Sequence, residues 1–243
     1  MKKVFISVPA AERIVLSPED SRHIMQVLRH TIGDCLLVTD SCGNTYEAEI
    51  TAWEDKVVTL RRGALKEQKQ DTGQELILAI GLLKSDKLEW VLQKTAELGI
   101  AGVIPLQMQH CVVKMEAKKW PERKKRWERI QTEAAKQCGR SEIPWLSDCL
   151  TLPQLLEAYA DWEYIVPYER EEEGSLRAAC QKENKKTILV IGPEGGFSKE
   201  EIAQIQAAGG PRVSLVSLGP RILRAETAAV SAAAIVMYER GFR

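Results

Sequence analysis

From Leu76 onward the chain switches repeatedly between two periods. Short apolar runs at Leu76–Ile80, Gly102–Pro105, Tyr164–Val166, Thr187–Ile191 and Val213–Ser217 are separated by stretches with helical spacing. Short apolar runs bounded by turn residues read as strands buried on both faces. Strands that alternate with helices leave few solutions, and the favoured one is a mostly parallel sheet covered by helices on both sides. The helical stretches carry their own punctuation. Ser85–Leu98 lines up Leu88, Val91, Leu92, Thr95 and Leu98 on one face and is closed by Gly99. Thr151-Leu152-Pro153-Gln154 and Ser198-Lys199-Glu200-Glu201 are capping boxes. A charged helix is expected over 121–138 and an Ala-rich one over 225–238.

The first seventy residues follow another pattern. Val4-Phe5-Ile6 starts a strand. Pro9 and the pair Glu12-Arg13 end the apolar run too early for a secretory signal. Ser17-Pro18-Glu19-Asp20 starts a helix, with a serine cap, proline in the first turn and acids at the positive helix end. That helix is expected to run to about Arg29, placing Arg22, Gln26 and Arg29 on one face. Further strands at Cys35–Val38, Tyr46–Ala52 and Val57–Leu60, joined by turn residues, predict a small β-barrel. The polar stretch Leu65–Gly73 reads as a linker. Two domains are therefore expected, at 1–70 and 74–243.

Composition excludes several classes. No apolar stretch is long enough to cross a bilayer. The 243-residue chain has six cysteines without a Cys-x-x-Cys pair, and three histidines outside zinc-ligand spacing. Reduced thiols in a cytoplasmic protein, with no bound metal, are expected. Formal net charge is zero, but eight Lys or Arg against three Glu lie between Lys114 and Arg129. Affinity for nucleic acid follows such local patches rather than the total charge.

Two loops carry the strongest chemical signal. Ile191-Gly192-Pro193-Glu194-Gly195-Gly196-Phe197 directly follows an apolar strand, and so does Ser217-Leu218-Gly219-Pro220-Arg221-Ile222-Leu223-Arg224. Ligands of open parallel sheets bind at the loops beyond the carboxyl strand ends. Neither loop is a P-loop or a Gly-x-Gly-x-x-Gly turn, which disfavours a nucleotide hydrolase. A Leu-Gly-Pro turn beside Ile222-Leu223 offers backbone partners next to an apolar wall, as a flat heteroaromatic ring requires. Two further segments are open to more than one reading. Lys84–Gly99 is a solvated amphipathic helix on its face value. Arg22-His23-Ile24 with Val27-Leu28-Arg29 is either a solvated face or a phosphate contact.

Together these segments resemble the SPOUT methyltransferases. The Gly-Pro-Glu-Gly-Gly-Phe loop and the run Leu218–Ala228 are similar to their two C-terminal motifs. The segments Arg22–Arg29, Lys94–Gly99 and Glu133–Arg140 resemble the family that forms N3-methyluridine in 16S ribosomal RNA. The likeness covers nearly the whole chain in the same order.

The resemblance implies a PUA-like β-barrel at the N-terminus for RNA, and a C-terminal SPOUT α/β domain with a trefoil knot. It implies S-adenosylmethionine as cofactor, 16S rRNA or the small ribosomal subunit as substrate, and a homodimer with active sites at the subunit interface. Carried over to this chain, one cofactor loop comprises Gly192, Pro193, Glu194, Gly195 and Gly196. The next comprises Ser217, Leu218, Gly219, Ile222, Leu223 and Arg224. The third, after Tyr164–Val166, begins at Pro167 and Tyr168. Where ribose methyltransferases bear an Asn in the third motif, this chain has Arg224-Ala225-Glu226-Thr227, which favours base methylation.

Uridine N3 carries a proton, so the reaction needs a proton acceptor and a cation for the uridinate. Arg224 is the candidate cation, and Glu226 or Glu194 the candidate acceptor. Phosphates would be held by Arg22, Arg29, Lys114, Lys118, Lys119, Arg123 and Lys124. Trp120 and Trp127 are candidates for base stacking, with buried packing the competing reading. A SPOUT enzyme acting on tRNA or ribose, and a catalytically silent RNA-binding module, are the other readings.

Overall fold

The computed structural model describes residues 3–68, 75–182 and 186–241. The chain divides into two compact units, one of Met1–Asp71 with Ala135–Glu142, the other of Thr72–Ala134 with Ile143–Arg243.

In the first unit, β1 (Lys3–Phe5), β2 (Arg13–Val15), β3 (Cys35–Thr39), β4 (Thr45–Glu54) and β5 (Val57–Glu67) form a five-stranded sheet in the order β1-β3-β4-β5-β2. Only β1 and β3 run parallel. Alternate residues point inward, so Ile14, Leu36, Val38, Ile50, Val58 and Leu60 make the core with Val4, Leu16 and Ile24. Helix α1 (Pro18–Arg22) begins at Ser17, whose Oγ accepts from the Asp20 N–H at 3.1 Å.

Two expectations need correction here. The helix does not continue in α-form to Arg29. Residues His23–Val27 form a π-helical turn, closed by the Leu28 N–H on the His23 carbonyl at 3.0 Å. Arg29 lies beyond it with φ +58°. The wider turn and the reversal at Arg29 mean that Arg22, Gln26 and Arg29 do not share one helical face, although both arginines are exposed. Nor does the linker begin at Leu65. Strand β5 continues to Glu67, with Leu65 paired to Tyr46, and the end of that expected linker lies outside the described residues.

The second unit is built on an all-parallel sheet. Its strands are β6 (Glu75–Gly81), β7 (Gly102–Gln107), β8 (Trp145–Leu146), β10 (Glu163–Pro167), β11 (Lys186–Ile191) and β12 (Val213–Val216), in the order β12-β10-β11-β6-β7-β8, with β9 (Leu150–Thr151) beside β7. The central strands are buried along their length, as a sheet covered on both faces requires. Helices α2 (Ser85–Leu98), α5 (Leu176–Cys180) and α7 (Ala225–Glu239) form one packed group, and α4 (Leu152–Ala158) and α6 (Lys199–Gly209) another. Ala229, Ala232 and Ala233 of α7 are fully buried. Their small side chains let α7 lie close to α2. The remaining helix, α3 (Trp120–Cys138), contributes residues to both units.

Local signals explain the element ends. Gly99 closes α2 with φ +103°. The capping boxes at Thr151 and Ser198 both form. At the amino ends of β10 and β11 a buried ion pair joins Arg240, just past α7, to Glu163 at 2.5 Å.

Candidate active site at the carboxyl edge of the sheet

Register places the two signal loops side by side. Strand β10 lies between β11 and β12, and all three are parallel. Pro167 is paired with Val216, and Ile165 with Leu189, two residues before the ends of β10 and β11. Ile191 is paired with Ile80, and Ile80 with Pro105. The loops after β12, β10, β11, β6 and β7 therefore leave one edge at one level.

The three candidate cofactor loops are tied to one another. The Tyr168 N–H donates to the Val216 carbonyl at 3.0 Å, and the Ser217 N–H to the Gly174 carbonyl at 2.8 Å. The Tyr168 and Phe197 rings meet edge to face at 6.3 Å. In the loop after β11, the Gly196 N–H closes a turn on the Pro193 carbonyl at 2.9 Å, with Gly196 at φ +70°. Both later glycines of this loop are crowded. A Cβ on Gly195 would lie 2.8 Å from that of His110, and one on Gly196 would lie 3.1 Å from Glu169 Oε1. In the loop after β12, Gly219 has φ +103° and open space around it, and Ile222 is 89% exposed.

The expected catalytic residues fall into two groups. Glu194 and Glu226 are brought together by Lys87, in the first turn of α2. Its Nζ lies 3.3 Å from Glu194 Oε1 and 3.7 Å from Glu226 Oε2. The Lys84 N–H also donates to Glu194 Oε1 at 3.5 Å. Oε2 of each glutamate is buried without a hydrogen bond. Arg224 stands apart from this triad. It is the exposed N-cap residue of α7, in extended conformation.

Sequence reasoning missed Lys87, because Lys84–Gly99 reads as an ordinary amphipathic helix. A signal was nevertheless present, since the start of a helix that follows a strand of a parallel sheet lies on the ligand edge. It also missed Glu201. This buried carboxylate accepts the Gln109 N–H at 2.8 Å and the Ser198 N–H at 2.9 Å. It thereby clamps the loop after β7 to the start of α6. Nothing local to the capping box announces the first of those partners.

The basic segment is less free than its charge count implies. Lys114 and Lys118 are exposed, but Lys119 pairs with Glu116 and Lys124 with Asp148, each at 2.8 Å. Arg123 is half-buried. Trp127 is buried, and Trp120 meets it edge to face at 5.5 Å while its Nε1 donates to Asp148. Packing, not an open stacking platform, accounts for both rings. Among the described residues no group of three or more His, Cys, Asp or Glu is placed to hold a metal ion. No described helix is long and apolar enough to cross a membrane.

With this geometry in view, comparison with known proteins is specific. Residues 70–237 match the family described as RNA methyltransferase domain. The chain is 30% identical to the ribosomal RNA small subunit methyltransferase E of Bacillus subtilis, over 98% of this chain and 97% of that protein. It is also 30% identical to the protein of the same name from Rickettsia conorii, over 96% and 94%. Among solved structures, a methyltransferase of Legionella pneumophila in complex with S-adenosylmethionine is 32% identical, covers 97% of this chain and 96% of its own, and superposes with a TM-score of 0.83. The loops joined at one sheet edge thus occur in a chain that matches these proteins end to end, and it belongs to the RNA methyltransferase domain family, among the ribosomal RNA small subunit methyltransferases E.

Proposed function

We propose that the protein methylates N3 of a uridine in 16S ribosomal RNA of the small subunit, using S-adenosylmethionine. The observation that carries this reading is the convergence of the loops after β10, β11 and β12 at one level, with Glu194 and Glu226 joined beside them on Lys87. Relatives named as small-subunit ribosomal RNA methyltransferases support the substrate, and the Legionella structure supports the cofactor.

The residues present fit that cofactor. The open space at Gly219 and the exposed Ile222 suit a flat adenine ring, which needs an apolar wall and backbone partners. The loop Gly192–Gly196 would hold the cofactor from the β11 side, Ser217, Leu218, Ile222, Leu223 and Arg224 from the β12 side, and Pro167 from between them. When bound, S-adenosylmethionine supplies an electrophilic methyl group on a sulfonium.

The chain supplies positioning and electrostatics. Uridine N3 lies on the pairing edge, so the target must be unpaired or splayed out to enter. Arg224, exposed at the start of α7, would stabilise the uridinate that forms when N3 loses its proton. Glu194 and Glu226 are the carboxylates available to take that proton. Arg22, Arg29, Lys114, Lys118, Lys119, Arg123 and Lys124 would hold phosphates.

Several wider features belong to the same reading. The five-stranded sheet of the first unit serves as a PUA-like RNA-binding domain over residues 1–70, and residues 74–243 are the SPOUT domain. The order β12-β10-β11, with Ser217 bonded to Gly174, supports a trefoil knot through the loop after β10. Trp90, Ile235 and Tyr238 are exposed on the mutually packed α2 and α7, which supports a homodimer. A cytoplasmic location goes with a ribosomal substrate.

The test is incubation of the purified protein with radiolabelled S-adenosylmethionine and unmodified small ribosomal subunits, free ribosomal RNA or tRNA, followed by chromatography of the nucleosides. Label in 3-methyluridine from ribosomal RNA is expected. Label in tRNA or on ribose overturns the substrate, and absence of both label and cofactor binding overturns the activity.

A further inference from the structure

The triad of Lys87, Glu194 and Glu226 has an asymmetry that separates the roles of its two acids. Its members come from the first turn of α2, the loop after β11 and the first turn of α7. Two carboxylates share a single ammonium. Their side chains are only 19% and 15% exposed, and that of Lys87 24%. Glu194 is the better held: its Oε1 meets Lys87 at 3.3 Å and accepts from the Lys84 N–H. Its Oε2 is buried without a partner. Glu226 approaches Lys87 only through Oε2, at 3.7 Å, beyond hydrogen-bonding distance. Glu226 Oε1 is the one carboxylate oxygen of the triad that is neither bonded to Lys87 nor buried without a partner.

Such an arrangement is costly if it serves the fold alone. Buried acceptors without donors lower stability, and a half-satisfied polar network is worse than an apolar one. Unpartnered groups of this kind collect where a ligand completes them. We propose that Lys87 is a positioning residue that fixes Glu194 and aims Glu226, and that Glu226 Oε1 accepts the N3 proton of the target uridine. This rests on the N3 reading given above. In the step, the N3–H bond breaks, the proton passes to Glu226, and the electron pair stays on N3 as the nucleophile. The charged group that meets Glu226 is Lys87 from α2, which also holds Glu194 from the loop after β11; Arg224 lies two residues earlier in the chain, at the cap of the same helix.

Three variants of the full-length protein test this. Glu226→Gln keeps the side-chain shape and removes the acceptor. Its kcat is expected to fall by roughly two to four orders of magnitude near neutral pH, the usual worth of a positioned base. It should recover in alkaline solution, where the uracil imide ionises unaided. Glu194→Gln should show no such recovery. Lys87→Met should lower kcat on the order of ten- to a hundredfold through misplacement, and Lys87→Arg should restore most of it. A second readout needs no turnover: in the cofactor-free protein, hydrogen exchange of Gly192–Phe197 and of the first turn of α7 should quicken in Lys87→Met and stay near wild type in Lys87→Arg.

The proposal is overturned if Glu226→Gln keeps wild-type kcat, if its loss is flat with pH, or if the alkaline recovery belongs to Glu194→Gln. The positioning role is overturned if exchange is unchanged in Lys87→Met. Nucleoside analysis of the wild type separates these failures from failure of the N3 reading. If the wild type makes no 3-methyluridine, that reading falls, while the exchange data still decide what Lys87 holds.

Discussion

Gly81 ends β6 against the backbone of the loop after β11. A Cβ added there would lie 2.6 Å from Pro193 N and 2.7 Å from its ring. Neither partner is the free end of a flexible side chain, so the loop itself must shift. Gly81→Ala is therefore expected to cost about 1–3 kcal/mol by overpacking and to weaken cofactor binding as well. Thermal unfolding and calorimetry check the two effects, and unchanged cofactor affinity would sink the proposed role of Pro193. The sequence shows Gly192–Gly196 as a loop but not Gly81 as its support, because that contact joins distant positions. Cysteines give a second prediction at this scale. Burial pushes the Cys111 and Cys180 thiols up, and the Cys149 thiol up to about 11, whereas Cys35, Cys42 and Cys138 are exposed. The thiolate is the reactive form, so an alkylating reagent near about pH 8 should label the exposed three first. Mass spectrometry after brief labelling checks this. Early modification of Cys149 would contradict the burial described.

At the scale of elements, the clamp at Glu201 joins what is local to what is not. Ser198-Lys199-Glu200-Glu201 marks a helix start on its own, and the box forms with Ser198 Oγ accepting the Glu201 N–H at 3.1 Å. The same carboxylate also takes the Gln109 N–H, from a loop that no local pattern connects with α6. Glu201→Ala leaves the buried Ser198 N–H and the part-buried Gln109 N–H without acceptors. The first loss costs about 1–3 kcal/mol and the second adds to it, against the roughly 1 kcal/mol of an ordinary helix cap. Glu201→Ala should thus lower the unfolding midpoint more than Ser198→Ala, as thermal denaturation would reveal. Equal shifts would mean that the Gln109 contact contributes nothing. Legibility follows the same division. Long elements such as the amphipathic α2 and the Ala-rich α7, and those with caps, are readable from sequence. Strands β2, β8 and β9 and helix α5 are not, because two to five residues contain no period to count. The π-helical turn at His23–Val27 escapes for another reason, since the apolar spacing of an α-helix and of a π-turn agree over so short a stretch.

For the whole molecule, the order of strands is what the chain's periodicity withholds. Alternation predicts a parallel sheet, but nothing in the residues of β10, β11 and β12 says that β10 lies between the other two. That order is set by the packing of the complete core, and it is what brings Pro167, Gly192 and Ser217 to one edge. Charge is distributed by the same three-dimensional logic, and it leads to a prediction for RNA binding. Neutralising a cation that contacts a phosphate reduces counterion release, lowering the slope of log affinity against log salt by about 0.7 to 0.9 per contact. The cations expected to hold RNA are not equivalent. Lys119 and Lys124 already have acidic partners at 2.8 Å, Glu116 and Asp148, which RNA would have to displace. Lys114 and Lys118 are exposed, as are Arg22 and Arg29 in the first unit. Substituting Gln at Lys114 and Lys118 should therefore flatten the salt dependence by more than one unit of slope, and the same change at Lys119 and Lys124 by distinctly less. Filter binding of a small-subunit RNA fragment across a potassium chloride series measures both slopes. If the two double variants flatten it equally, the acidic partners do not compete with phosphate. If neither does, the basic segment is not part of the RNA surface, and contacts such as Arg22 and Arg29 must carry the electrostatic share of binding.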